Sequence, residues 1–378
     1  MRGRQDPQSG RPALVGNFLK LARAAFGRTP FHLVFFVTSR CNARCKYCFY
    51  WNQIAAKDKP EELSLQEVER VAANLPNLGY LTLTGGETSM RQDVVEVAEA
   101  FYKKSGIRIA SYHTNGFLKD KIIADVSAIL DRCPELAVDV CVSVDAVGEK
   151  HDRLKGVPGA FDKAISTIES LKRLHARNGR LGIFTVSVFC ASNRSDDILE
   201  AHRYLADMGV RNGISLIRNA SKEEGEFDVD MNEYLRLFEE LERIRPKGDN
   251  AADYPLFSFR DAIESFKGQL IAETASRRRQ LVPCVAGLRS IVLGEDGTLY
   301  PCELLQKRYG NVRDCGYDPM ALVNSEKGRA IRRGIVNKEC YCTWEILIAL
   351  STLYCPRVYP RVVGHRLRQV FMNWDERR

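Results

Sequence analysis

Two periods alternate along this chain: short apolar runs, and longer stretches with an apolar residue every third or fourth position. Residues 31–37 form an apolar run that reads as a strand. Ser64-Leu65-Gln66-Glu67 has the form of a capping box. Behind it Leu65, Val68, Val71, Ala72 and Leu75 recur on one helical face. The alternation continues with a strand at 80–84 and a helix carrying Val94, Val97, Ala98 and Phe101 that ends near Gly106. A strand at 107–111, a helix at 119–130 and a mostly apolar strand at 138–144 follow. Phe161, Ala164, Ile165, Ile168, Leu171 and Leu174 mark the next helix, and 181–189 the next strand. Ser195 is placed to cap a helix that Gly209 closes, before a sixth strand at 214–217. Six strands separated by helices predict right-handed βαβ units, a parallel sheet covered on both faces, and an α/β fold.

After residue 220 the pattern changes. Residues 221–283 are charged and helical, with Tyr234, Leu237, Phe238, Leu241 and Ile244 at helical spacing, and read as a bridge. Residues 284–356 are rich in cysteine and hold a hairpin, in which strands at 290–293 and 298–300 flank the turn Glu295-Asp296-Gly297. Residues 1–30 are basic, and 14–28 have the pattern of an amphipathic helix. Residues 357–378 form a basic tail with Val362, Val363, Leu367, Val370 and Phe371, read as a docking helix.

The 45% hydrophobic and 28% charged content are ordinary for a globular protein, and 378 residues suffice for one large and one small domain. The net charge of +8 is spread along the chain and does not argue for nucleic acid; contact of the amphipathic ends with a membrane surface is the minority reading. No apolar run approaches the roughly 18 residues of a membrane span. The start of the chain lacks a signal-peptide pattern, so a cytoplasmic location is expected. Twelve cysteines in a reducing compartment point to metal rather than disulfides.

Three of those cysteines stand in Cys41-Asn42-Ala43-Arg44-Cys45-Lys46-Tyr47-Cys48, at the mouth of the first strand. The spacing strains disulfide geometry, and structural zinc usually takes four protein ligands. An iron–sulfur cubane held by three thiolates keeps one iron open for an outside ligand. Zinc or free thiols are the alternatives. In the second set, the hairpin turn brings Cys284 and Cys302 together, and Cys340, Cys342 and Cys355 follow. Cys141 and Cys190 read as core thiols.

The Cys-x3-Cys-x2-Cys loop with Tyr47 before its last cysteine resembles the signature of the radical S-adenosylmethionine (radical SAM) enzymes. The resemblance implies a partial (β/α)6 TIM-like barrel over 31–220 and a [4Fe–4S] cluster on Cys41, Cys45 and Cys48. The open iron would chelate SAM, whose reductive cleavage gives a 5′-deoxyadenosyl radical that takes hydrogen from a substrate. Gly85-Gly86-Glu87 resembles the family's GGE motif for the SAM amino group, with Thr88 where proline is usual. Asn115, Ser143 and Asp145 fall where the family contacts the ribose and methionine parts of SAM, although strand-end turn chemistry explains such residues equally. His151-Asp152 reads as a solvated loop pair, and Asn193 and Arg218 as cavity residues or local caps.

The C-terminal cysteines, with Tyr309-Gly310-Asn311-Val312, resemble the SPASM and shorter Twitch auxiliary-cluster domains. The full pattern has seven cysteines. Five here imply a second [4Fe–4S] cluster on Cys284, Cys302, Cys340 and Cys342, with Cys355 as an alternate and zinc as the other occupant. That cluster would accept the electron left on the substrate radical. An electron donor such as flavodoxin or ferredoxin is implied. The expected substrate is a small molecule such as a sugar or lipid head group. A peptide maturase is the alternative, weakened by the short stretch before Phe31, and a non-catalytic iron–sulfur or zinc protein is the reading from another class.

Overall fold

The computed structural model describes residues 21, 23–27, 29–218, 222–244 and 257–375. Most of the N-terminal 14–28 segment lies outside these residues. Six parallel strands follow one another in space as they do in sequence: β1 (His32–Phe36), β2 (Tyr80–Thr84), β3 (Ile109–Thr114), β4 (Ala137–Ser143), β5 (Leu181–Phe189) and β6 (Arg211–Leu216). β6 lies at one edge, so the sheet is an unclosed barrel wall.

One face of the sheet meets the helices. Leu33, Phe35, Leu81, Leu83, Tyr112, Val138, Val140 and Val142 join Val68, Val71, Ile122, Ile129 and Ile168 in one buried cluster. The capping box forms as the sequence predicts, with Ser64 and Glu67 each accepting the other's backbone N–H. The other face is not the apolar surface expected. His32 bridges Ser290 Oγ (3.1 Å) and Thr82 Oγ1 (2.9 Å), Ser111 follows at 3.4 Å from Thr82, and His113 lies 3.1 Å from Ser111. A strand facing a cavity needs polar partners for polar neighbours, which the mostly apolar runs conceal.

Two local expectations are corrected. Ser195 is not a cap: Arg194 holds that position, and the Ser195 backbone N–H and hydroxyl both donate to Glu233. His151 and Asp152 lie in a helix, Gly148–Lys155, rather than a solvated loop. His151 is buried and accepts the Asp145 N–H, and Asp152 accepts from Gly159 and Phe161 to cap the helix Ala160–His175.

The hairpin β7 (Ser290–Leu293) and β8 (Thr298–Tyr300) continues the barrel sheet, because β7 pairs parallel with β1. β9 (Gly310–Asn311) closes the far edge. The Asn311 side chain locks the turn, donating to Asp296 O at 2.8 Å and accepting from Arg313 N at 3.0 Å. A second apolar cluster joins Tyr234, Leu237, Phe238 and Leu241 to Phe266, Leu270 and Ile348, and Val358 and Val362 pack into it. The tail helix Tyr359–Asp375 therefore docks, but Val363 and Leu367 on it stay about half exposed. No helix among the described residues is long and apolar enough to cross a membrane.

Candidate active site

The loop after β1 carries Cys41, Cys45 and Cys48, all unpaired and part-buried. Backbone bonds within the loop set their direction: Ala43 N–H donates to Cys41 Sγ at 3.4 Å, Cys48 N–H to Cys45 O at 3.3 Å, and Tyr50 N–H to the Cys48 thiol. The turn after β2 is pressed onto this loop. Gly86 N–H donates to Thr38 O and Glu87 N–H to Arg40 O, both at 2.8 Å. Gly85 has φ +140°, and a Cβ there would stand 2.5 Å from Thr38 O; one on Gly86 would stand 2.2 Å from Arg40 O. These glycines are demanded by loop-to-loop packing, where the sequence suggested only approach to a ligand.

The Glu87 carboxylate is buried and engaged within the chain. It accepts from Ser89 N–H (3.1 Å) and Oγ (2.6 Å), Thr114 Oγ1 (2.6 Å) and Asn115 N–H (2.7 Å). Burial raises its pKa, and these donors work against that rise. Asn115 reaches from the end of β3 to Asn42 of the cysteine loop, its Nδ2 donating at 2.6 Å. Ser143 ends β4, part-buried, opposite Val186 of β5. Asp145 is fully buried: Oδ1 accepts from Val188 N–H at 2.8 Å, and Oδ2 takes the Tyr47 hydroxyl and Lys155 Nζ. Asn193 donates to Asp145 O and Val188 O and so braces the same corner. Lys155 was missed in the sequence, where it reads as one more charged residue before Gly156.

The second set surrounds a cavity. Cys284, Cys302, Cys340 and Cys342 line it together with Leu304, Leu305, Ile335, Leu347 and Ile348. Each of these cysteines has a donor: Ala286 N–H for Cys284, Leu305 N–H for Cys302 (3.3 Å), Gln280 Nε2 for Cys340 (3.9 Å) and Trp344 N–H for Cys342. Among the described residues no three His, Cys, Asp or Glu side chains converge on a single metal-ion position; the four thiols ring a space instead. Cys355 is not among the lining residues and shares a buried cluster with Ile348, Val358 and Val362. Burial pushes the Cys48, Cys284, Cys302 and Cys342 thiols up to about 12 and Cys41 to about 11. A bound cation is what would draw such thiols to thiolates at neutral pH.

Arg218, just past β6, stands between the two sets. Its guanidinium meets Glu345 at 2.6 Å and Glu303 at 3.2 Å, and lies 5.4 Å from the Phe49 ring and 5.8 Å from the Trp344 ring. Phe49 follows Cys48, and Glu303 follows Cys302. Burial raises the Glu303 pKa to about 7, with Arg218 opposing.

An unclosed parallel α/β barrel wall with a three-cysteine loop at the C-terminal end of its first strand defines a class of iron–sulfur enzyme scaffold. Residues 35–189 match the Radical SAM superfamily. It is 27% identical over 151 residues to GTP 3′,8-cyclase of Haemophilus influenzae, covering 38% of this chain and 45% of that one. It is 25% identical over 298 residues to the antilisterial bacteriocin subtilosin biosynthesis protein AlbA of Bacillus subtilis, covering 76% and 59%. The chain thus spans less than two thirds of the length of these relatives. Among solved structures it resembles anSMEcpe with bound AdoMet, with a TM-score of 0.58 at 16% identity, covering 89% of this chain and 98% of that one. The fold is the one expected, and the superfamily's cofactors are a [4Fe–4S] cluster and SAM.

Proposed function

We propose that Cys41, Cys45 and Cys48 hold the SAM-binding [4Fe–4S] cluster, and that this chain is a radical enzyme whose substrate lies between the two cysteine sets. The observation that carries the reading is the loop itself: three soft donors and no others, two of them already receiving backbone N–H bonds, at the strand end beside the Gly85–Glu87 turn. Hydrogen bonds to sulfur are a means by which proteins tune such clusters. When bound, the cluster and SAM supply a 5′-deoxyadenosyl radical that abstracts hydrogen.

The chain's own residues bind and orient. The Glu87 carboxylate, held by Ser89, Thr114 and Asn115, shapes the turn, and its Oε2 and the turn's carbonyl oxygens are the acceptors for the SAM amino group. Ser143, part-buried at the end of β4, is the contact for the methionine part, and Asn115 holds the cysteine loop against β3. Tyr47 and Asp145 support the loop from beneath. Cys284, Cys302, Cys340 and Cys342 hold an auxiliary [4Fe–4S] cluster that takes the electron left on the substrate. Support for this comes from the four donors around one cavity. Cys355, in the core, has no part in it.

A peptide is the leading substrate class. AlbA, named for bacteriocin biosynthesis, is matched over 298 residues, well past the shared barrel, and a solved structure of similar fold is Streptococcus suis SuiB bound to its precursor peptide SuiA. The small-molecule reading draws on the chain's basic balance and its amphipathic ends, of which the first lies mostly outside the described residues. The test is anaerobic reconstitution followed by dithionite and SAM. About eight irons per chain and formation of 5′-deoxyadenosine are expected. Iron without deoxyadenosine would replace the reading with a non-catalytic iron–sulfur protein.

A further inference from the structure

Beneath the cysteine loop lies an ion pair shielded from solvent. Lys155 Nζ stands 2.6 Å from Asp145 Oδ2, and the side chains are 4% and 0% exposed. The same carboxylate oxygen accepts the Tyr47 hydroxyl, and Lys155 Nζ lies 5.7 Å from the centroid of the Tyr47 ring. Lys155 ends the helix Gly148–Lys155, which is fastened to the loop. The carbonyl of Lys155 accepts Arg44 N–H at 2.8 Å, and that of Leu154 accepts Lys46 N–H at 3.3 Å. The chain then turns at Gly156, with φ +65°, where a Cβ would stand 3.0 Å from that of Arg44. The ammonium is therefore held in one place relative to the cysteines.

Desolvating a lysine and an aspartate together is costly, and apolar residues of similar volume fill such a space equally well. The pair calls for a third party. Burial disfavours the Lys155 charge, and the Asp145 carboxylate beside it works against that loss. Besides Arg44, whose Nη1 donates to Cys41 O at 3.0 Å, three more charged groups act on Cys41 and Cys45: Glu87, Asp145 and Lys222. Two of these three are carboxylates, and three thiolates would add further negative charge.

We propose that Lys155 is the counter-charge of the loop's iron–sulfur cluster and sets its reduction potential. The proposal rests on the assignment of Cys41, Cys45 and Cys48 to that cluster. Reduction adds an electron next to a fixed ammonium, and in a water-poor site that charge favours the reduced form. Asp145 acts in the opposite sense and moderates the effect.

The test is EPR-monitored redox titration, with iron and sulfide analysis, of the reconstituted full chain. Lys155→Met should shift the midpoint potential of this cluster downward, and Lys155→Arg should restore it. Asp145→Asn should shift it upward, which keeps the proposal open to test if the Met variant folds poorly. A role confined to packing would give shifts of one sign, or none. Unchanged potentials in variants with full iron content, or shifts of the same sign for Met and Asn, would overturn the proposal. Absence of iron at Cys41, Cys45 and Cys48 in the unaltered protein would overturn both it and the cluster assignment.

Discussion

The cysteine loop after β1 and the cysteine cavity beside the β7–β8 hairpin share a local device in unlike surroundings. In both, backbone N–H groups a few residues downstream donate to sulfur, as from Ala43 to Cys41 and from Leu305 to Cys302. The loop offers three cysteines at the end of a strand, near the turn and polar residues of the next strands. The cavity is ringed by four cysteines, with apolar Leu304, Leu305, Leu347 and Ile348 among the residues that line it with them. Three donors leave an iron open to a ligand, and four close the coordination. The difference teaches that donor number and access would be enough to give one kind of cluster a binding task in the loop and an electron-holding task in the cavity.

The sharpest way to break the comparison is to remove one donor from each side. Cys45→Ala should abolish deoxyadenosine formation while leaving about four irons in the cavity. Continued SAM cleavage would sink the assignment of the loop. Cys302→Ala should also cost about four irons yet spare slow, uncoupled SAM cleavage, and unchanged iron content would remove the auxiliary site.

A second group of predictions concerns what joins the sites. Arg218→Met strips Glu303 and Glu345 of their buried partner, and loss of one member of a buried ion pair typically costs about 3–5 kcal/mol. Denaturant unfolding should show a drop of that order, and a variant as stable as the parent would mean the carboxylates find other partners. Gly86→Ala places a Cβ against Arg40 O, and such overpacking typically costs about 1–3 kcal/mol. Lower cluster occupancy together with a lower unfolding midpoint is expected.

The smallest effect lies at the surface. Arg313, after the hairpin, pairs with Glu67 of the helix Leu65–Ala73 at 2.6 Å. Its guanidinium holds the Glu67 carboxyl at about 2 against an ordinary 4.5. Because the folded-state pKa is the lower one, the pair's stabilisation is present above about pH 4.5 and is lost as pH falls toward 2. Glu67→Gln should flatten the stability profile in that window, lowering stability near neutrality, where the pair is fully charged, and changing it little near pH 2.

Local pattern was enough for the six strands and the helices between them, because apolar period and caps report backbone state directly. β2 and β5 begin and end where the apolar runs do. The capping box at Ser64, the three-cysteine loop and the hairpin at Gly297 were also legible, since each is set by neighbours within a few residues. The superfamily followed from that loop and the order of elements. What sequence could not supply were contacts made across the sheet. His151 looked solvated and Lys155 carried no signal, and the fold turns both inward onto Asp145. Glu87 read as part of a ligand-holding turn, and β3 also brings Thr114 and Asn115 to its carboxylate. Cys355 was an alternate ligand by count, and the fold groups it with Val358 and Val362. A residue's type and spacing determine which chemistry it can perform. Which partner takes up its charge or lone pairs depends on chain segments dozens of positions away, and only the tertiary structure brings those together.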